Sequence, residues 1–307
     1  MSEQYTSLSE LKDFDTLIKD LGETRREQSN DVIYVFTETT FTKISRLPIY
    51  DPYPDGTPFT WWRSWNHERI DNEAKALKLI AAQTTIPVPQ LLAHGTLSDG
   101  CKYLTTARVG GISLSDIMES EGCLKPLGQQ HMDTAPCKIC SDEAHTNATL
   151  FINETVLPQL ANLKSRERGI DGFVMPPSWI CPDAEPPWDR PRTWKTIPLE
   201  QPGYIFQHGD MAAHNILIDR SSLQVNALID WEHAGYFPSG MERWPGTLHM
   251  DDYRKRGRGI GRAIEEFLAE DYIECYNKWA DKAELENLVR AGELPDITSV
   301  RNRLDME

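Results

Sequence analysis

The sequence predicts an α+β chain of two lobes, a small β-rich N-terminal one and a larger, mostly helical C-terminal one. Three observations carry this. Asp31 to Ile44, DVIYVFTETTFTKI, is dense in β-branched and aromatic residues and reads as two strands. Gln90 to Ala93 and Lys102 to Val109 add strands around a turn at Ser98-Asp99-Gly100, and Gly110-Gly111 marks a lobe boundary. Beyond it, apolar residues recur at helical spacing in Leu150 to Lys164 and again from about Gly261 to Lys282.

Composition bounds the function. The 307 residues suffice for two lobes and a sizeable core. The net charge of -15, from 32 basic and 47 acidic residues, argues against a nucleic-acid surface and suits a cationic or neutral substrate. No run reaches the roughly eighteen apolar residues of a membrane span. The opening MSEQYTSLSELKDFD is acidic and polar, unlike a signal peptide. Six cysteines without such a leader suggest reduced thiols and a cytoplasmic location.

The most informative stretch is Tyr204 to Gly235. His208-Gly209-Asp210, four residues and then Asn215 fit the H-x-D-x-x-x-x-N catalytic loop of kinases. Ile216 to Ile218 and Val225 to Ile229 read as paired strands around a turn at Asp219 to Ser222. That hairpin returns Asp230 towards Asn215, in the place of the D-F-G aspartate. Phosphoryl transfer needs positioning and charge neutralisation. Asp210 suits the carboxylate that accepts the attacking hydroxyl's proton. Asp230 and Asn215 offer Mg²⁺ one charged and one neutral oxygen.

HGDMAAHN followed by LIDWEHAG resembles the aminoglycoside phosphotransferase and choline kinase-like superfamily, most of all its fungal branch. The resemblance spans about Asp31 to Leu268. It implies a bilobal protein-kinase-like fold, with residues 1–109 covering the nucleotide and residues 110–307 holding the catalytic groups and the acceptor. It implies Mg²⁺, with ATP or GTP donating a phosphoryl group to a small-molecule hydroxyl. Lys43 is then the lysine on the α- and β-phosphates, and Glu73, with Glu68 as competitor, its ion-pair partner. YLTTARVGGISL looks like the strand entering the hinge, where backbone near Ala107 and Val109 would hold the adenine. His208 should be structural. His214, beside Asn215, either tunes the site or fills the loop, the preferred reading.

Departures are visible too. Asp31 to Ile44 contains no glycine, so a G-x-G-x-x-G phosphate cover is absent there. Gly209 replaces the arginine of regulated protein kinases, and Glu232 stands in the third D-F-G position. Glu232 and Glu242 either approach the acceptor pocket or bond backbone or an arginine such as Arg243, the preferred reading. A pseudokinase scaffold is the alternative function; a protein kinase fits less well, since no long activation segment is recognisable.

Other segments carry weaker signals. Residues 7 to 21 read as an amphipathic helix with Leu8, Leu11, Phe14, Leu17, Ile18 and Leu21 on one face, and Ile70 to Gln83 as a second helix. Residues 46 to 67, with Trp61, Trp62 and Trp65, form an aromatic insertion better explained by packing than by a lid. His131, Cys137, Cys140 and His145 offer the donor types of tetrahedral Zn²⁺, at shorter spacing than usual fingers; plain thiols are the preferred reading. Pro158 is expected to kink the helix after Leu150. The Trp- and Pro-rich run Trp179 to Trp194 is expected to shape the surface near the acceptor. In the resembled family C-terminal helices wall the substrate pocket, but plain lobe packing reads the helix after Gly261 at least as well, and residues 295 to 307 read as a polar tail. The oligomeric state is not legible.

Overall fold

The computed structural model describes residues 11–22, 24–50, 52–61, 63, 65–126, 128–131, 135–171, 198–238, 244, 246, 248–291, 294 and 296–305. Leu8, Trp62, the run Trp179 to Trp194, Glu242 and Arg243 lie outside them.

The N-terminal part is built on an antiparallel sheet of β1 (Arg25–Gln28), β2 (Val32–Phe36), β3 (Thr40–Ser45), β6 (Leu91–Thr96) and β7 (Lys102–Ala107), in the order β1-β2-β3-β7-β6. Between β3 and β6 come a short hairpin, β4 (Ile49–Tyr50) and β5 (Thr60–Trp61), and the helix α2 (Asn66–Gln83). The period of two divides β3 between the two faces. Ile44 joins Val35, Leu97 and Cys101 under α1 (Phe14–Leu21), which buries Leu17 and Ile18. Lys43 points the other way, towards α2 and the cleft.

α1 is shorter than its periodicity suggests because Asp13 caps it, accepting from Thr16 N–H at 2.7 Å. Strand β1 escaped the sequence reading: all four of its residues, Arg-Arg-Glu-Gln, are exposed, so it has no apolar face to detect. It reaches β2 through Ser29-Asn30-Asp31, a turn that closes without glycine because Ser29 and Asp31 bond each other's groups.

After Gly111 the chain forms β8 (Ile112–Ser113), α3 (Leu114–Glu119) and α4 (Lys138–Phe151). A π-helical turn at Ile152–Val156 leads into α5 (Leu157–Asn162). The helix thus begins twelve residues before the expected Leu150, and the wide turn precedes Pro158, which has no N–H to donate. β9 (Lys164–Ser165), β10 (Tyr204–Gln207) and β13 (Gly235–Pro238) form one small sheet. β11 (Ile216–Ile218) and β12 (Val225–Leu228) pair with β8 in another. The main core runs from Ile70, Leu77 and Ile80 of α2 through Ile117, Ala144 and Ile152 to Phe206, Ile216 and Trp231.

The C-terminal region corrects the sequence reading. α6 (Met250–Lys278) starts eleven residues before Gly261, and α7 (Lys282–Arg290) follows it. Residues 297–305 form α8 (Ile297–Asp305) rather than a tail. Buried Val300 packs with Ala269, Tyr272, Leu285 and Leu294 in a separate cluster. Arg168 ties α6 to β10: it pairs with Asp271 and lies over the rings of Tyr204 and Phe267. Among the described residues, no helix is long and apolar enough to cross a membrane.

Val300→Asp tests the docked α8. It should cost about 3 kcal/mol or more by chemical denaturation, because an unpaired carboxylate would be buried. An unchanged unfolding midpoint would return this segment to solvent.

Candidate active site

The loop after β10 is shaped by its backbone. Gly209 has φ +85°, and a Cβ there would stand 2.2 Å from the carbonyl oxygen of His233. Glycine is therefore required, and the arginine of regulated protein kinases could not stand here. His208 is buried beside it. Its Nε2–H donates to the Ile229 carbonyl at 3.0 Å, and its Nδ1 accepts the Asp210 amide at 3.2 Å. Burial lowers its pKa to about 4, so the ring is neutral and in the tautomer these bonds require. His208 thus joins the catalytic loop to the end of β12, as a structural histidine would.

Asn215 ends a 3₁₀ turn, Ala213–Asn215. Its Nδ2 donates to the Asp210 carbonyl at 2.9 Å and to Asp210 Oδ2 at 3.1 Å. The Ile229 amide donates to the Asn215 carbonyl at 3.0 Å, which brings Asp230 alongside. Asp230 is left-handed (φ 64°, ψ 56°), a conformation aspartate tolerates better than most residues. The hairpin therefore returns the chain as its spacing suggests. Its turn is held by Asp219 Oδ1, which accepts the Ser221 and Ser222 amides.

Lys43, Glu73 and Asp230 meet although 187 residues separate the first from the last. Lys43 Nζ donates to Glu73 Oε2 at 2.7 Å and also to Asp230 Oδ1. Burial opposes the ammonium charge, but Glu73, Asp230 and Glu232 outweigh it and raise its pKa, so Lys43 stays cationic. Burial pushes Glu73 up to about 7 against the pull of Lys43. The carboxylates of Glu73, Asp230 and Glu232 converge within 4.8 Å, with Lys43 as the cation of the first two and Arg69 that of the third. Glu73, rather than the competing Glu68, is the α2 glutamate bonded to Lys43.

Lys43, Glu73 and Asp230 line a cleft of about 470 Å³. Tyr34, Phe36 and Phe41 form one wall, Leu217 and Ile229 of the hairpin another, and Ala107 and Val109 lie at the edge. Asn215 and Asp230 face into it alongside Lys43. For Mg²⁺ the donor set fits. Asn215 commits its nitrogen to Asp210 and keeps its oxygen, and Asp230 keeps one oxygen beyond Lys43.

Asp210 has two partners the sequence did not supply. The Tyr253 hydroxyl, from the first turn of α6, donates to Oδ1, and His214 Nε2 lies 3.6 Å from Oδ2. Burial works against the carboxylate's charge, yet the bonds from His214 and Tyr253 hold its pKa well below the usual range. His214 therefore faces the carboxylate instead of filling the loop. Tyr253 had no local signal, since the periodicity of α6 becomes legible only after Gly261.

Glu232 bonds an arginine, as the preferred reading expected, and that arginine comes from α2. The carboxylate pairs with buried Arg69 of α2, with Arg63 3.6 Å away. Asn72 Nδ2 donates to the carbonyls of Glu232 (3.0 Å) and Ala234 (2.8 Å). One face of α2 thus reads the 3₁₀ turn Trp231–His233 through Arg69 and Asn72.

The family model described as "Phosphotransferase enzyme family" matches residues 159–244, which contain the whole catalytic loop and hairpin. That segment holds Asp210, Asn215 and Asp230. A search of curated proteins gave no match. Among solved structures, the chain is similar to an aminoglycoside 2'-phosphotransferase type IIIa mutant in its GDP complex, at 11% identity over 95% of this chain and 93% of that one, TM-score 0.44. It is also similar to an aminoglycoside 3'-phosphotransferase of type VIII, at 17% identity over 80% and 91%, TM-score 0.44. A third is a mutant of aminoglycoside phosphotransferase APH(4)-Ia with ADP and hygromycin B, at 12% identity over 95% and 96%, TM-score 0.35.

Arg69→Ala should destabilise the protein by roughly 3–5 kcal/mol, since it strands the buried Glu232 charge. Replacing both partners, Arg69→Met with Glu232→Leu, should cost less than the single change. Urea unfolding of the three proteins checks this, and a double variant weaker than Arg69→Ala would refute it.

Proposed function

We propose that the chain is an ATP- or GTP-dependent kinase that moves the γ-phosphoryl group to a hydroxyl of a small molecule. One observation carries this reading: Lys43, Glu73, Asn215 and Asp230 line a single cleft, with Asp210 bonded to Asn215 at its margin. Residues 1–109 would cover the nucleotide and residues 110–307 would hold the acceptor. Backbone groups near Ala107 and Val109 would take the adenine, and Asn215 and Asp230 would hold Mg²⁺. When bound, Mg²⁺ neutralises phosphate charge.

Each side chain then has a defined task. Lys43 neutralises the α- and β-phosphates, and Glu73 keeps its ammonium directed into the cleft. Asp210 accepts the O–H of the acceptor, orients its oxygen along the transfer line and takes its proton as the bond to phosphorus forms. The hydroxyl of Tyr253 on Oδ1 is the kind of donor this carboxylate receives. A net charge of -15 suits a cationic or neutral acceptor, and cytoplasmic nucleotide pools would supply the donor.

Thermal shift with ATP or GTP, with and without Mg²⁺, tests the nucleotide site. Saturation near a hundredfold Kd should add about 2.7 kcal/mol of stability. Asp230→Ala should abolish the metal-dependent part. Asp210→Asn should keep the nucleotide shift while turnover falls by about 10² to 10⁴. Undiminished turnover in Asp210→Asn would remove its assignment. Mg-dependent binding without turnover on any acceptor would favour a scaffold.

A further inference from the structure

We propose that Cys123, His131, Cys137 and Cys140 form a structural zinc site that braces the segment between α3 and α4. Cys123 follows α3, His131 lies in the connecting loop, Cys137 immediately precedes α4 and Cys140 is in its first turn. All four donor atoms lie within 4.8 Å of one another. His131 Nδ1 stands 3.7 Å from Cys123 Sγ, 3.8 Å from Cys137 Sγ and 3.6 Å from Cys140 Sγ. The sulfurs of Cys123 and Cys140 are 3.9 Å apart.

These separations are the edges of a coordination tetrahedron. Zn–S bonds of about 2.3 Å and a Zn–N bond of about 2.0 Å give S···S edges of about 3.8 Å and S···N edges of about 3.5 Å. A disulfide would bring two sulfurs to about 2.05 Å, and these cysteines are free. Hydrogen bonding does not explain the cluster either. A neutral imidazole nitrogen has one donor or one acceptor site, yet three sulfurs converge on the same Nδ1.

The surroundings suit thiolates. Cys137 and Cys140 sit at the N-terminus of a 14-residue helix, where negative charge is favoured. The His131 amide donates to Cys123 Sγ at 3.3 Å. Three thiolates and one imidazole make a closed four-ligand set of soft and borderline donors, the type that holds structural zinc. Binding expels the three thiol protons. Cys137 and Cys140 are buried, whereas Cys123 is half-buried and His131 exposed, which leaves an entry path.

The fourth ligand differs from the one the spacing suggested. His145 lies outside the cluster, a turn further along α4, with its ring stacked on His249 at 4.3 Å. Cys123, outside the H-x5-C-x2-C-x4-H pattern, takes the place. The brace supports the catalytic hairpin indirectly. Ile117, Cys137, Cys140 and Ala144 share the core with Ile216 and Ile218, and Asn147 of α4 donates to the Leu223 carbonyl at the hairpin turn, 3.0 Å away.

The test is elemental analysis of the full chain purified under reducing conditions from zinc-supplemented medium. About one zinc per chain is expected, released by a mercurial thiol reagent. Co²⁺ exchange should give thiolate-to-cobalt charge transfer and tetrahedral ligand-field bands. Cys123→Ser and Cys140→Ser should each lower the zinc content at least about tenfold. His131→Cys should retain the metal, with a stronger charge-transfer band, and His145→Ala should leave it unchanged. These last two keep the proposal testable if the serine variants fail to fold. Wild-type protein without stoichiometric zinc, or zinc lost in His145→Ala, would overturn it.

Discussion

The ammonium of Lys43 is the constraint on which the rest of the site depends. A buried cation must be paired, and buried carboxylates must find a cation, or each costs several kcal/mol. Glu73 from α2 and Asp230 from the hairpin both meet it. The positions of β3, α2 and the end of β12 are therefore not independent. Moving any one of them leaves at least one charge without its partner. The same condition points Lys43 into the cleft.

Helix α2 enforces this arrangement with one face. Arg69, Asn72 and Glu73, at spacings of three and four residues, fall on the same side of the helix. Asn72 holds the backbone of the Trp231–Ala234 turn, and Arg69 holds the Glu232 side chain. Glu232 in the third D-F-G position is thus an anchoring residue for α2. Where protein kinases have glycine, this chain has a buried ion pair. That pair joins the same helix and turn that Lys43 joins, so the two contacts reinforce each other.

The loop from His208 to Asn215 is held by a different physical means, backbone closure. Gly209 admits the His233 carbonyl where no side chain fits, and His208 bonds Ile229 on one nitrogen and Asp210 on the other. Asp210 and Asp230 are therefore located relative to each other through main-chain contacts rather than through their own carboxylates. Asp230 keeps one carboxylate oxygen beyond Lys43, while the oxygens of Asp210 meet Tyr253, Asn215 and His214. Beneath the loop, α3 and α4 form a platform whose connection is shaped by the cysteine and histidine cluster.

Short-range chemistry was legible in the sequence. The H-x-D-x-x-x-x-N spacing, the hairpin after it and the returning Asp230 are local, and a chain with those turns and strands closes in one way. Lys43 and Glu73 were picked out through the resemblance rather than the period of their elements, and both line the cleft. Other features were decided by the tertiary structure alone. Strand β1 carries no apolar alternation and is held by its neighbour's backbone. α8 is polar over most of its length and is ordered by docking a few residues such as Val300. The partner of Glu232 lies 163 residues away. Tyr253 reaches Asp210 from a helix whose start has no periodic signal, and Cys123 replaces His145 because a loop brings it back to α4. In each case the deciding interaction joins residues that local spacing cannot relate.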